Sequence, residues 1–434
     1  MCYFSRRWSH NCHYRAVYRR SNAAELTFGP AIHPHVHAWG IPRFLLTAPV
    51  AAPTSSGRVF SREDISHGAD VTRATVCVEL LGRSCTWMAG RSTRREKQSL
   101  SRLEEVRAAS AEINRRLDTD PEANVPLVCL YAPSRSVESV PLRIRRGQPR
   151  PDQVEALEKS LSGRREDMDF GQFFSWYRNR EDMENERYRL CHENNQCKTP
   201  LALDPQLTAV RTALQTLMPG FHRLRVRRRP RLQMVVTKGE EEFRIEELSD
   251  GEKCLLAMVA DMARRMAMAN PSLKNPLEAE AVFLIDEMEL HLHPAWQRSI
   301  ISRLLAVFPK SQFFVTTHSP QILGEVEDTD SIWIMAQGQP HHPARAYGLT
   351  SDEILGEIMR TGERAGEVEK ELARIAALIT DEDFDKVRRT ARTLAQRTGV
   401  IPALLKVNAV LTMLGEEQAD LERHPACTCQ ERRQ

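Results

Sequence analysis

Two short apolar runs, each ending abruptly in polar groups, constrain this chain most. Ala281-Val-Phe-Leu-Ile285 leads straight into Asp286-Glu287, and Gln312-Phe-Phe-Val-Thr-Thr317 leads into His318. An unbroken apolar run of this length suits a strand covered on both faces, as in the centre of a parallel sheet. The segment between the two, Trp296 to Val307, has room for one crossover helix, so the runs are expected to lie side by side. Their C-terminal ends would then bring two carboxylates and an imidazole to the edge where open α/β sheets bind ligands.

A third segment adds a different chemistry. Leu248-Ser249-Asp250-Gly251-Glu252-Lys253 opens an apolar-rich helical run from Cys254. A Ser before a helix offers a hydroxyl, and the first turn offers free N–H groups and the positive end of the macrodipole. Gly251 lets the backbone approach a phosphate closely. Taken alone, Ser249 could be an ordinary N-cap, and the acid pair an ordinary solvated turn.

Neighbouring strand residues point to opposite sides, so Asp286 and Glu287 can divide labour. Asp286 is expected to hold Mg²⁺ and Glu287 to polarise an attacking water. His318 is placed to hydrogen-bond a terminal phosphate.

In order, spacing and wording these three segments resemble the ABC/SMC-type ATPases, and within them the OLD-like ATPases of bacterial anti-phage systems. Leu248–Lys253 resembles their ABC signature, Phe283 to Pro294 their Walker B motif and D-loop, and Phe314 to Leu323 their His switch. The wording is similar above all to ATPases of Septu-type and retron-associated defence, whose partner is an HNH-type nuclease. The close match covers about residues 240–327, with fainter similarity around Phe60–Ile65, Tyr131–Arg145 and Phe173–Glu186.

The resemblance implies an α/β fold of the ABC-type P-loop NTPase kind: a mixed, mainly parallel sheet flanked by helices. It implies ATP and Mg²⁺ as ligands and a homodimer closing over two ATP sites. Ser249, Gly251, Glu252 and Lys253 would reach the nucleotide of the partner, while Asp286, Glu287 and His318 would act on the chain's own. His291 and Leu292 fall where the D-loop crosses the dimer interface. The implied role is an ATPase that gates a partner nuclease.

One element of that pattern is missing. The phosphate-gripping loop of this family, the Walker A motif, ends in Gly-Lys-Ser/Thr, and neither tripeptide occurs in the chain. Residues 1–58, where it belongs, crowd Cys, His, Arg and Pro with no lasting apolar period beyond the candidate strand Ala24-Glu-Leu-Thr-Phe-Gly-Pro30. They read as a disordered or mis-framed leader. The alternative to a working ATPase is therefore a non-hydrolysing scaffold or nucleic-acid-binding regulatory subunit. For the latter, the alternating strand Arg223-Leu-Arg-Val-Arg-Arg-Arg229 could meet DNA or RNA phosphates, or could simply be a charged edge strand.

The remaining expectations concern organisation. Residues 59–349 are read as the ATPase domain, with a helical insertion over 152–216 and a helical region over 350–434. The insertion carries an aromatic knot, Phe170, Phe173, Phe174, Trp176 and Tyr177, read as packing. Ala74–Leu81 and Cys85–Met88 read as a hairpin, 99–117 as a helix and Val125–Tyr131 as a buried strand. No apolar stretch approaches a membrane span, and no secretory pattern opens the chain, so a cytoplasmic location is expected. Ten cysteines are scattered, with only Cys427 and Cys429 near His424, which falls short of a four-ligand zinc site and suits a reducing compartment.

Overall fold

The computed structural model describes residues 102–131, 170–193, 203–336, 339–360 and 366–421, the positions Gln153 and Ala156, and five strands nearer the N-terminus. Those five are β1 (Cys2–Phe4), β2 (Arg15–Val17), β3 (Ala24–Phe28), β4 (Val71–Leu80) and β5 (Arg83–Ser92). The rest of residues 1–58 lies outside the described residues, as do Cys427, Cys429 and His424. The chain divides into two compact units, Met1–Ser351 and Asp352–Gln434.

The first unit is built on a six-stranded mixed sheet in the order β13-β12-β1-β11-β10-β6. Here β6 is Leu127–Tyr131, β10 is Ala281–Ile285, β11 is Gln312–Thr317, β12 is Ile332–Ala336 and β13 is Gln339–His341. The two apolar runs are neighbours as expected: β10 pairs in parallel with β11 on one side and with β6 on the other. The remaining pairings, of β1 with β11 and β12 and of β12 with β13, are antiparallel. The centre of this sheet is aromatic and dry. Phe283 stacks on Phe313 with ring centroids 5.4 Å apart and meets Phe308 at 5.5 Å. Such pairs add to what burial alone contributes.

A second sheet, β2-β3-β4-β5, is antiparallel throughout and includes the expected hairpin, with Val78 opposite Cys85. A third, β7-β8-β9, comprises Phe221–Arg227, Gln233–Lys238 and Glu241–Arg244.

Five helices of eight or more residues are described in this unit: α1 (Glu104–Thr119), α2 (Phe170–Glu193), α3 (Pro205–Leu217), α4 (Asp250–Ala269) and α5 (Ile300–Val307). α4 is the keystone, because every residue from Cys254 to Ala269 is buried. A helix apolar on all sides has no solvated face, and any charge on it needs a partner inside the protein. The aromatic knot of α2 is a packing cluster. Phe173 lies 5.5 Å from Phe170 and 5.7 Å from Tyr177, whose buried hydroxyl donates to the Leu224 carbonyl at 2.6 Å.

The second unit holds three further helices, α6 (Gly366–Thr380), α7 (Phe384–Thr398) and α8 (Pro402–Met413). They close a small core of Ile375, Val387, Ala391, Leu394, Leu404 and Leu411. Leu405, Val410 and Leu414 are exposed. α8 is apolar on several faces and can turn only one stripe inward, the one carrying Leu404 and Leu411. Among the described residues no helix is long and apolar enough to cross a membrane.

Candidate active site at the ends of the parallel strands

The parallel register decides where the acids fall. Ile285 lies opposite Val315 on β11 and Tyr131 on β6, so Asp286 leaves the sheet level with Thr316. The Asp286 N–H donates to the Tyr131 carbonyl at 2.9 Å, extending the ladder by one step. Glu287 then takes a left-handed backbone (φ 46°), as does His291 (φ 67°), and the chain turns sharply between them. Non-glycine residues adopt this region at a cost, and surrounding contacts must hold them there.

Those contacts come from β11. The Thr316 hydroxyl donates to the Asp286 carboxylate and accepts from the Glu287 N–H at 2.8 Å, while the Met288 N–H donates to the Thr316 carbonyl at 3.0 Å. One side chain therefore fixes both the first carboxylate and the strained residue that carries the second. Asp286 and Glu287 are half-buried, and the His318 side chain just beyond β11 is exposed.

The mouth of α4 is built as a capping box. Ser249 Oγ accepts from the Glu252 N–H at 3.3 Å, and a Glu252 carboxylate oxygen accepts from the Ser249 N–H at 3.0 Å. The other Glu252 oxygen takes the Lys238 ammonium at 2.6 Å. Burial pulls the Glu252 carboxyl upward, but Lys238 and Ser249 outweigh it and hold the pKa below the usual range. Lys253 pairs with Asp250 at 2.8 Å. Glu252 and Lys253, expected at the nucleotide, are thus occupied with neighbours in this structure.

Gly251 joins the mouth to the acid-bearing turn. A Cβ added there would sit 2.1 Å from the His291 carbonyl oxygen and 3.2 Å from its carbon. Only glycine fits where these two backbones touch. The structure thus sets Gly251 against the His291 backbone, and Asp286 and Glu287 on Thr316, two residues before His318.

Several participants were not foreseen. Tyr131 Oη donates to the Asp261 carboxylate at 3.2 Å, and Asp261 also takes Arg264 Nη2 at 2.8 Å and Arg265 Nε at 2.7 Å. All four side chains are buried. An Asp with two Arg at i+3 and i+4 inside an apolar run was a readable sign of such a network. Thr316, Thr317 and Glu289 gave no comparable signal, because their role appears only across the strand register.

The arginine strand reads differently from a phosphate-binding row. Arg225 Nε reaches Glu242 at 3.0 Å, Arg227 reaches the same carboxylate at 3.2 Å, and Arg228 Nε reaches Asp182 at 2.9 Å. Carboxylates thus offset much of that positive charge. Among the described residues no group of three or more His, Cys, Asp or Glu is placed to hold a metal ion by itself.

A mixed sheet with central parallel strands, flanked by helices, is an α/β fold of the P-loop NTPase-like kind. Comparison with known proteins supplies the particular kinship. Residues 135–324 match the family described as "AAA domain, putative AbiEii toxin, Type IV TA system". The chain is 37% identical over 198 residues to "Retron Ec83 probable ATPase" of Escherichia coli, covering 44% of this chain and 36% of that one. It is 32% identical over 280 residues to "Retron Vc95 probable ATPase" of Vibrio cholerae serotype O1 biovar El Tor, covering 56% and 54%. A 77-residue stretch is 46% identical to "Septu protein PtuA" of Bacillus mycoides (strain KBAB4), covering 18% and 10%. The chain spans about half or less of the length of these curated relatives. A solved SMC head domain from Thermotoga maritima is 12% identical with a TM-score of 0.34, covering 79% of this chain and 97% of that one, a likeness too weak to bear on function. The relatives found are retron-associated and Septu proteins, the kinds whose wording the three motifs resemble.

Proposed function

We propose that this chain is an ATPase of a bacterial anti-phage defence system, hydrolysing ATP to ADP and phosphate and thereby gating a partner nuclease of the HNH type. The observation that carries this reading is the shared anchoring of Asp286 and Glu287 by Thr316 at the ends of two parallel strands, next to His318. The retron and Septu relatives support the same direction.

In this reading Glu287 accepts a proton from the water that attacks the terminal phosphorus, as the bond from phosphorus to the bridging oxygen breaks and ADP leaves. Positioned general bases contribute on the order of 10²–10⁴ in rate. His318 donates a hydrogen bond to the terminal phosphate. The two half-buried carboxylates fit Mg²⁺, which is held by one or two carboxylates together with substrate phosphates and water. Bound there, Mg²⁺ would neutralise phosphate charge, with Asp286 as its protein ligand. A second copy of the chain would present Ser249, Gly251, Glu252 and Lys253 to that phosphate, with His291 at the junction. Glu252 and Lys253 would have to exchange Lys238 and Asp250 for the nucleotide or its surroundings.

A second reading is favoured by the absence of Gly-Lys-Ser/Thr from the sequence: a scaffold that binds partners without turnover, DNA or RNA among them. Measuring ATP binding and phosphate release by the full chain separates the two. The ATPase reading expects Glu287→Gln to lower turnover by on the order of 10²–10⁴ while nucleotide still binds. Equal turnover in the two proteins would remove Glu287 from the chemistry. A wild-type chain that releases no phosphate would leave the scaffold.

A further inference from the structure

Two residues after the acid pair, Glu289 reaches across to the end of β11. Its two carboxylate oxygens are both engaged there: one accepts the Thr317 hydroxyl at 2.7 Å, the other the His318 backbone N–H at 2.5 Å. This residue has no part in the proposed proton transfer, and nothing in the motif order singles it out. Its own backbone belongs to the turn that carries Glu287, through bonds from Leu290 N–H to the Glu287 carbonyl (3.0 Å) and from Leu292 N–H to the Glu289 carbonyl (2.8 Å). Glu289 is therefore a strap between the segment bearing the proposed base and the segment bearing the proposed phosphate donor.

Beyond His318 the chain is tied a second time. The Ser319 N–H donates to the Thr317 hydroxyl at 2.9 Å, and the Ser319 hydroxyl donates to Gln297 Oε1 at 2.7 Å. Gln297 in turn donates to the Leu292 carbonyl at 2.8 Å. The backbone of His318 is held on both sides by residues of the turn after β10, leaving its exposed ring only side-chain torsions to settle.

We infer that Glu289 is a positioning residue, whose carboxylate fixes the His318 backbone relative to Glu287 and so sets where the imidazole can meet the terminal phosphate. The inference rests on the ATPase reading above and deepens it. Catalytic groups must be held within about 0.5 Å of a productive placement, which an exposed histidine cannot manage unaided. A carboxylate accepting a backbone N–H and a hydroxyl together is suited to this, because such charge-assisted bonds are short and strong.

Two substitutions separate reach from charge. Glu289→Gln keeps the length and can still accept the His318 N–H while its amide faces the Thr317 hydroxyl. Glu289→Asp keeps the charge and falls one methylene short of both partners. Steady-state ATP turnover of the full chain is expected to show kcat lowered by on the order of 10- to 100-fold for Glu289→Asp, the usual size of a lost supporting contact. Glu289→Gln is expected to stay within about tenfold of wild type, one hydrogen bond's worth, and KM to change little in either. Combined with His318→Ala, which itself lowers kcat, Glu289→Asp is expected to add nothing further, since residues acting through one another are not additive.

A reversed order, with Glu289→Asp active and Glu289→Gln crippled, would make the charge and not the reach decisive and overturn the strap. So would full additivity with His318→Ala, which marks a general structural role. If His318→Ala turns over ATP like wild type, or wild type turns over none, the ATPase reading of His318 fails and takes the strap with it. If His318→Ala is crippled and Glu289→Asp is not, only the strap fails.

Discussion

Replacing Asp261 with alanine is expected to lower folding stability by about 3–5 kcal/mol, the cost of removing one partner from a buried ion pair. Two guanidiniums share this carboxylate inside a helix with no solvated face, and Arg264 and Arg265 are 1% and 3% exposed. Arg265 also donates to the Ala156 carbonyl at 2.7 Å. Burial would push the Asp261 carboxyl up, yet the charges of Arg265 and Arg264 prevail and hold it below the usual carboxylate range. A depressed folded-state value stabilises the fold above the unfolded-state value of about 3.9, and that contribution is lost as pH falls through the folded value. Denaturant unfolding at neutral pH and below pH 4 is the measurement. The difference between wild type and Asp261→Ala should shrink in acid. A variant as stable as wild type at neutral pH would show that the arginines do not depend on Asp261.

The second large effect is expected at Gly251. Alanine is the better helix former by about 1 kcal/mol, so propensity alone favours Gly251→Ala. Sterics oppose it, because the new methyl would lie 2.1 Å from the His291 carbonyl oxygen, and both backbones must part. Overpacking of this kind costs roughly 1–3 kcal/mol, enough to cancel the gain and leave a net loss. If the chain is the ATPase proposed above, the greater consequence falls on turnover. The His291 turn begins at Asp286 and Glu287, and a displacement of about 1 Å in a reacting group can cost on the order of 100-fold. Phosphate release by Gly251→Ala, compared with the exposed neighbour variant Asp250→Ala, tests this. A Gly251→Ala protein as stable and as fast as wild type would mean that the contact with His291 yields without consequence.

Much of the site was legible before any fold was known, and the reason is physical. Buried parallel strands leave unbroken apolar runs, and a ligand edge leaves polar groups where such runs stop. Ala281–Glu287 and Gln312–His318 show both signs, and the structure pairs them in parallel. Ser249 was legible as a cap because its partner Glu252 stands three residues on. The Thr316 and Glu289 contacts were not legible, since they join positions about 30 apart in the chain and depend on Ile285 facing Val315. Nor was the fate of Arg225 and Arg227, whose common partner Glu242 sits on another strand. In α8, apolar spacing overstated the core, because Leu405 and Val410 satisfy the pattern yet face outward.

The contacts around α4 close on themselves. From Gly251 the path runs along the helix to Asp261, across to Tyr131, through the Tyr131 carbonyl to Asp286, around the turn to His291 and back to Gly251. A ring offers two routes between any two of its members, so a displacement of the helix mouth can reach the turn that carries the carboxylates directly at His291 and, by the longer way, through Asp261 and Tyr131.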